Sequence, residues 1–216
     1  MNIFLKEFKF LLYEEKKFQS LNLVLEKLKK EYIGIVDLYS NILSPALNNM
    51  ICVGSKESCI WKEHIRSSII RTIIENCYPY VINEKTNKYK LSNMGKVLVI
   101  CPPEEYHELG ARMATDFFEL AGYDPVFIGA NTPKKDFIDS INVLDPKYIF
   151  IRVTNTYNLF STKDTINKIK SINPQVKILV GGYAFDINKE LYKEVSANYY
   201  IKDFQDILNL SKEDSK

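Results

Sequence analysis

The chain predicts an α/β protein in two parts, an N-terminal four-helix-type bundle followed by a doubly wound parallel sheet of five strands. Two observations carry this. Ahead of Pro79, apolar side chains recur every three or four positions, the period of amphipathic helices. From Gly95 the pattern changes to short apolar runs that alternate with helical stretches, as in parallel strands joined by crossover helices.

The helical segments read in order as Phe4, Phe8, Leu11 and Leu12; then Leu21, Val24, Leu25 and Leu28; then Ile35, Val36, Tyr39, Ile42 and Leu43; then Ile65, Ile69 and Ile73. Breaks are expected near Gln19-Ser20, near Gly34 and over Gly54 to Ser58, with Pro45 kinking the third segment or starting a new one. The pattern lapses from Pro79. This divides the chain into a bundle over 1–82, a linker over 83–94 and an α/β domain over 95–216.

The five runs at Val97–Ile100, Val126–Ile128, Tyr148–Val153, Ile178–Val180 and Tyr199–Ile201 are rich in β-branched or aromatic residues. Between them, a helix is expected to begin near Ala111 and stop at Gly122. Thr132-Pro133 should cap and open a second helix, and Ser161-Thr162-Lys163-Asp164 a third. The tail Ser211–Lys216 is polar enough to be read as frayed.

Composition narrows the function classes. The 216 residues carry a formal charge of +2 with no long basic block, which gives no footprint for nucleic acid. No apolar stretch approaches the roughly 20 residues of a membrane span, and the first residues do not form a signal-peptide core. Cys52, Cys59, Cys77 and Cys101 show no C-x-x-C spacing, so they read as free buried thiols of a cytoplasmic protein.

The chemistry concentrates on the loop after the first strand. Glu105 stands two residues before His107, and Gly110 three after it. A carboxylate at that distance accepts the N–H of one imidazole nitrogen, fixing the tautomer and leaving the other lone pair for a metal. Gly110 lets a bulky group approach the backbone. In an open parallel sheet, ligands bind at the carboxyl ends of the strands, so His107, Thr154 and Gly181-Gly182 should meet on one edge.

Glu105-x-His107-x-x-Gly110 resembles the signature of cobalamin (vitamin B12) binding domains, with Arg152-Val153-Thr154 and Gly181-Gly182 at the places of its two later parts. The resemblance implies a Rossmann-like, flavodoxin-like sheet under a helical cap. It also implies cobalamin held base-off, with His107 as the lower axial cobalt ligand and Glu105 behind it. Tyr106 and Gly110 would line the site, Thr154 would lie near the displaced nucleotide tail, and Gly181 and Gly182 would leave room for that tail. Arg152 departs from the family, which has Ser there. In the cap, Trp61, Glu63 and His64 resemble the Glu-His pair and tryptophan of B12-responsive regulators, displaced along the chain.

Gly110-Ala111-Arg112-Met113-Ala114 and Gly129-Ala130-Asn131-Thr132-Pro133 look more like the sensory members, which include photoreceptors and transcriptional regulators, than the methyl-carrying ones. The expectation is a non-enzymatic sensory protein holding adenosylcobalamin rather than methylcobalamin. It would signal through a homo-oligomer or a separate regulatory partner, because no DNA-binding segment precedes the bundle. A corrinoid methyl-carrier subunit of a methyltransferase system is the alternative; its motif usually runs Asp-Ile-Gly-Lys-Asn where this chain has Glu108-Leu109-Gly110-Ala111-Arg112.

Overall fold

The computed structural model describes residues 2–48 and 56–215. They form two compact units that divide between Glu84 and Lys85.

The first unit is helical. Phe4, Phe8 and Leu12 bury one stripe of α1 (Asn2–Tyr13), and Val24 and Leu28 bury one stripe of α2 (Lys17–Lys29). The break between them falls at residues 14–16 rather than at Gln19-Ser20. Glu15 takes a left-handed φ of 52°, and the Arg66 guanidinium donates to the Tyr13 carbonyl at 3.1 Å, closing the end of α1. Ser20 is fully buried inside α2.

Gly34 precedes α3 (Ile35–Leu38), which passes through a π turn at Tyr39–Leu43 into α4 (Ser44–Asn48). Pro45 has no N–H to give to the preceding turn, and the Ser44 N–H reaches back to the Tyr39 carbonyl, so the proline is accommodated by a widened turn. The last helix of the unit, α5 (Lys56–Glu84), runs straight through Pro79. Its buried stripe is Arg66, Ile69, Ile70, Ile73, Ile74, Cys77 and Val81, whereas Ile65 is exposed. Cys52 and Gly54 lie outside the described residues, as does the side chain of Cys59.

The stretch expected as a linker is therefore helical to Glu84, and a π turn, Lys85–Tyr89, follows in the second unit. A tertiary bond explains why the helix continues. The Glu84 carboxylate accepts the Ile35 N–H at 2.6 Å, placing a negative charge on the N-terminus of α3.

The second unit is a five-stranded parallel sheet in the order β2-β1-β3-β4-β5. The strands are β1 (Lys96–Ile100), β2 (Asp124–Gly129), β3 (Tyr148–Arg152), β4 (Lys177–Gly181) and β5 (Tyr199–Ile201). Helices α6 (Leu109–Leu120), α7 (Lys134–Leu144), α8 (Leu159–Ile172) and α11 (Phe204–Asp214) cover it, with short turns α9 (Tyr183–Asp186) and α10 (Leu191–Glu194) between β4 and β5. On one face Leu98, Ile149, Ile151, Ile178 and Val180 pack with Phe137 and Ile141 of α7 and Ile166 and Ile169 of α8. On the other, Phe150 meets Phe118 and Tyr148 meets Tyr123, with ring centroids 5.4 and 6.0 Å apart.

Helix ends differ from the sequence expectation in three places. Thr132 gives its hydroxyl to the Gly129 carbonyl, and Pro133 rather than Thr132 stands at the cap of α7. The third crossover helix starts before Ser161, entered by a short 3₁₀ turn whose Asn155 side chain accepts the Tyr157 N–H; Thr162 is buried within it. The tail is helical to Asp214, and fully buried Ser211 donates to the Ala121 carbonyl at 2.8 Å.

Candidate functional site

The strand order reverses between β1 and β3, so the crevice at their carboxyl ends is the switch point where an open α/β sheet binds ligands. The loop from β1 to α6 and the loop from β3 to α8 face each other there. Glu105 joins them. Its carboxylate is fully buried and accepts five hydrogen bonds: from the His107 backbone N–H (3.1 Å) and Nδ1 (2.5 Å), the Thr154 and Asn155 N–H groups (both 2.9 Å), and Asn158 Nδ2 (3.1 Å).

Burial alone would raise the Glu105 pKa. The bonds from His107, Asn155 and Thr154 outweigh it and bring the carboxyl down to about 2, so the group is a fixed anion. With Nδ1 directed at that anion, the tautomer places the imidazole lone pair on Nε2. The His107 side chain is 64% exposed while Glu105 is fully covered. A buried carboxylate thus orients an accessible imidazole at the mouth of the crevice.

The rest of the loop is tied down in the same way. Glu104, at φ 68°, donates its N–H to Asn131 Oδ1 at 2.8 Å, and the Asn131 N–H returns to the Glu105 carbonyl at 3.0 Å. This brings in the loop after β2. Cys101 lies beneath, its thiol pushed up to about 12 by burial and by the Glu105 charge, so it stays neutral.

The B12 binding domain model matches residues 95–204, half of the chain. The chain belongs to the B12 binding domain family.

Its relatives are distant. Over 80 residues it is 29% identical to dimethylamine corrinoid protein 3 of Methanosarcina acetivorans, covering 36% of this chain and 38% of that protein. Over 155 residues it is 25% identical to 4-hydroxy-3-methylbut-2-enyl diphosphate reductase of Sulfurimonas denitrificans, covering 62% of this chain and 56% of that one. The chain thus spans well under two thirds of either curated relative. Among solved structures, the Methanosarcina barkeri monomethylamine corrinoid protein superposes with a TM-score of 0.75 at 14% identity over 96% of both chains. The methanol:cobalamin methyltransferase complex MtaBC of the same organism matches with a TM-score of 0.51 at 12% identity, over 99% of this chain and 80% of that one. At these identities the likeness is one of fold.

This B12 binding domain offers a donor set that suits a metal already held by a macrocycle. Among the described residues no three His, Cys, Asp or Glu side chains gather as an ordinary metal site. The structure brings Glu105, Tyr106, His107, Gly110, Thr154, Gly181 and Gly182 to one edge of the sheet. Tyr106 is exposed, and Thr154 acts through its backbone N–H.

The two glycines have a reason within the protein itself. A Cβ on Gly181 would fall 2.4 Å from the Ile201 carbonyl oxygen and 3.0 Å from the Phe150 ring. Gly182, at φ 103°, would set one 2.4 Å from the Val153 carbonyl oxygen. Asn155 and Asn158 escape the sequence reading, and Asn131 enters it only within a family-like string, although asparagines in loops directly after strands are a usable signal.

Trp61, Glu63 and His64 belong to the helical unit, on α5. Trp61 is half exposed, with the Lys62 ammonium 5.5 Å from its ring, and Glu63 and His64 are exposed. None of the three belongs to the buried core of the helical unit. Consecutive residues on a helix do not share a face, and the buried stripe passes through Arg66 instead.

Proposed function

We propose that the chain is the corrinoid-carrying subunit of a methyl-transfer system, holding cobalamin base-off with His107 Nε2 as the lower axial ligand. When bound, the corrinoid cobalt supplies the centre between which and a partner enzyme's substrate a methyl group moves. The observation that carries the reading is the Glu105–His107 pair, a buried anion holding an accessible imidazole at the switch point. Glu105 fixes the tautomer and makes Nε2 a stronger donor. Thr154, Asn155 and Asn158 hold Glu105 in place, and Gly110 makes room for the Arg152 side chain.

The names of the similar proteins support a carrier over the sensory reading suggested by the residues after Gly110. They also favour a methyl over an adenosyl upper ligand. The partner is then a separate methyltransferase.

The test is the visible spectrum of the full chain loaded with cobalamin and desalted, with His107→Ala beside it, followed by incubation with a methylamine methyltransferase and its substrate. A base-off spectrum in the wild type, lost in the variant, together with methylation of the loaded protein, is the expected result. Equal spectra in both proteins would remove His107 as ligand. A change of association state on illumination, without methyl transfer, would return the sensory reading.

A further inference from the structure

Arg152 ends β3 in register with Gly181, and strand alternation sets it on the face of Tyr148 and Phe150. Its guanidinium lies directly over Gly110. A Cβ there would fall 2.2 Å from Arg152 Nε and 2.8 Å from Cζ and Nη2. Gly110 is three residues from His107, so this cation sits at the foot of the crevice.

One of its buried donors has no acceptor among the described residues. Nε is buried without a hydrogen-bond partner, and among the described residues no carboxylate pairs with the guanidinium. Its acidic neighbours are engaged: Asp186 accepts the Tyr200 hydroxyl, and Glu105 is filled by its own donors. Burial disfavours the charge. Buried N–H groups are almost always satisfied, and each exception asks for an explanation, a bound anion among them.

We propose that Arg152 reads the lower tail of the corrinoid, donating to the phosphodiester that links the nucleotide to the macrocycle. The inference rests on the cobalamin reading above. With His107 as lower ligand the nucleotide is displaced from the metal, and its phosphate is the anion of that tail. A planar fork of N–H donors matches two phosphate oxygens as neither Ser nor Lys does. A side chain that merely filled the space would spend its donors on protein carbonyls, and Arg152 Nε does not.

The test compares three ligands by absorbance titration of the full chain: cobalamin, cobinamide phosphate and cobinamide, the last lacking phosphate and nucleotide. The proteins are wild type, Arg152→Met and Arg152→Lys, each checked for fold by circular dichroism. The wild type should prefer both phosphate-bearing ligands. Arg152→Met should weaken these two by roughly tenfold to a hundredfold and leave cobinamide unchanged, with Arg152→Lys between. If Arg152→Met does not fold, a selective loss in Arg152→Lys decides in favour.

Equal or tighter binding of cobalamin by Arg152→Met would overturn the proposal and make the side chain a plug. An equal loss for all three ligands, or a wild type that binds them alike while keeping its His107-dependent spectrum, would overturn it without touching the cofactor reading. A wild type that binds none of them would overturn both.

Discussion

Glu105 shows how one side chain can be structural and functional at once. A carboxylate ordinarily loses more by burial than it gains, and this one is retained because five donors from two loops converge on it. Glu105→Gln keeps the shape but turns an amide N–H₂ toward N–H groups that need an acceptor. It should cost roughly 2–3 kcal/mol in urea unfolding at neutral pH and slacken the hold on His107. An unchanged midpoint would mean that these bonds contribute nothing net. The motif spacing made Glu105 and His107 legible, because a loop of fixed length sets their contact. Asn155 and Asn158 were not, since their approach to Glu105 depends on the register of β1 against β3.

At the scale of elements, periodicity read their kind well and their ends poorly. All five strands lie where short apolar runs stand; for β1, β3 and β4 burial on both faces leaves little choice, while the edge strands β2 and β5 are only partly buried. Ends are set by partners far away in sequence. The helix carrying Pro79 continues because Glu84 finds the Ile35 N–H, and α8 starts early because Asn155 can turn the chain before Ser161 does. The cap from Glu84 should behave like a local N-cap. Glu84→Ala is expected to lower stability by about 1 kcal/mol, with the loss largest at low salt. Thermal melts across a salt series would show it, and no effect would mean that α3 is held by the packing of Ile35 and Leu38 alone.

Across the whole α/β unit, the last helix closes the fold at the edge opposite the candidate site. Asp214 accepts the hydroxyls of Tyr123 (2.7 Å) and Tyr148 (3.0 Å) and pairs with Lys147 at 2.8 Å. The polar tail hid this, because composition says nothing of an acid that meets two tyrosines 66 and 91 residues away. Burial, then the bond to Asp214, raises both phenols above the ordinary tyrosine value of about 10. Raised folded-state values mean that the stabilisation is complete at neutral pH and is lost as pH rises above 10, where the unfolded chain releases protons that the folded one keeps. The double variant Tyr123→Phe, Tyr148→Phe should therefore be less stable than the wild type at pH 7 by about 1–3 kcal/mol. That gap should narrow steadily between pH 10 and 12 in urea unfolding. A constant gap across this range would show that the two phenols titrate alike in both states, and that α11 is held by Phe204, Ile207 and Leu210 without help from Asp214.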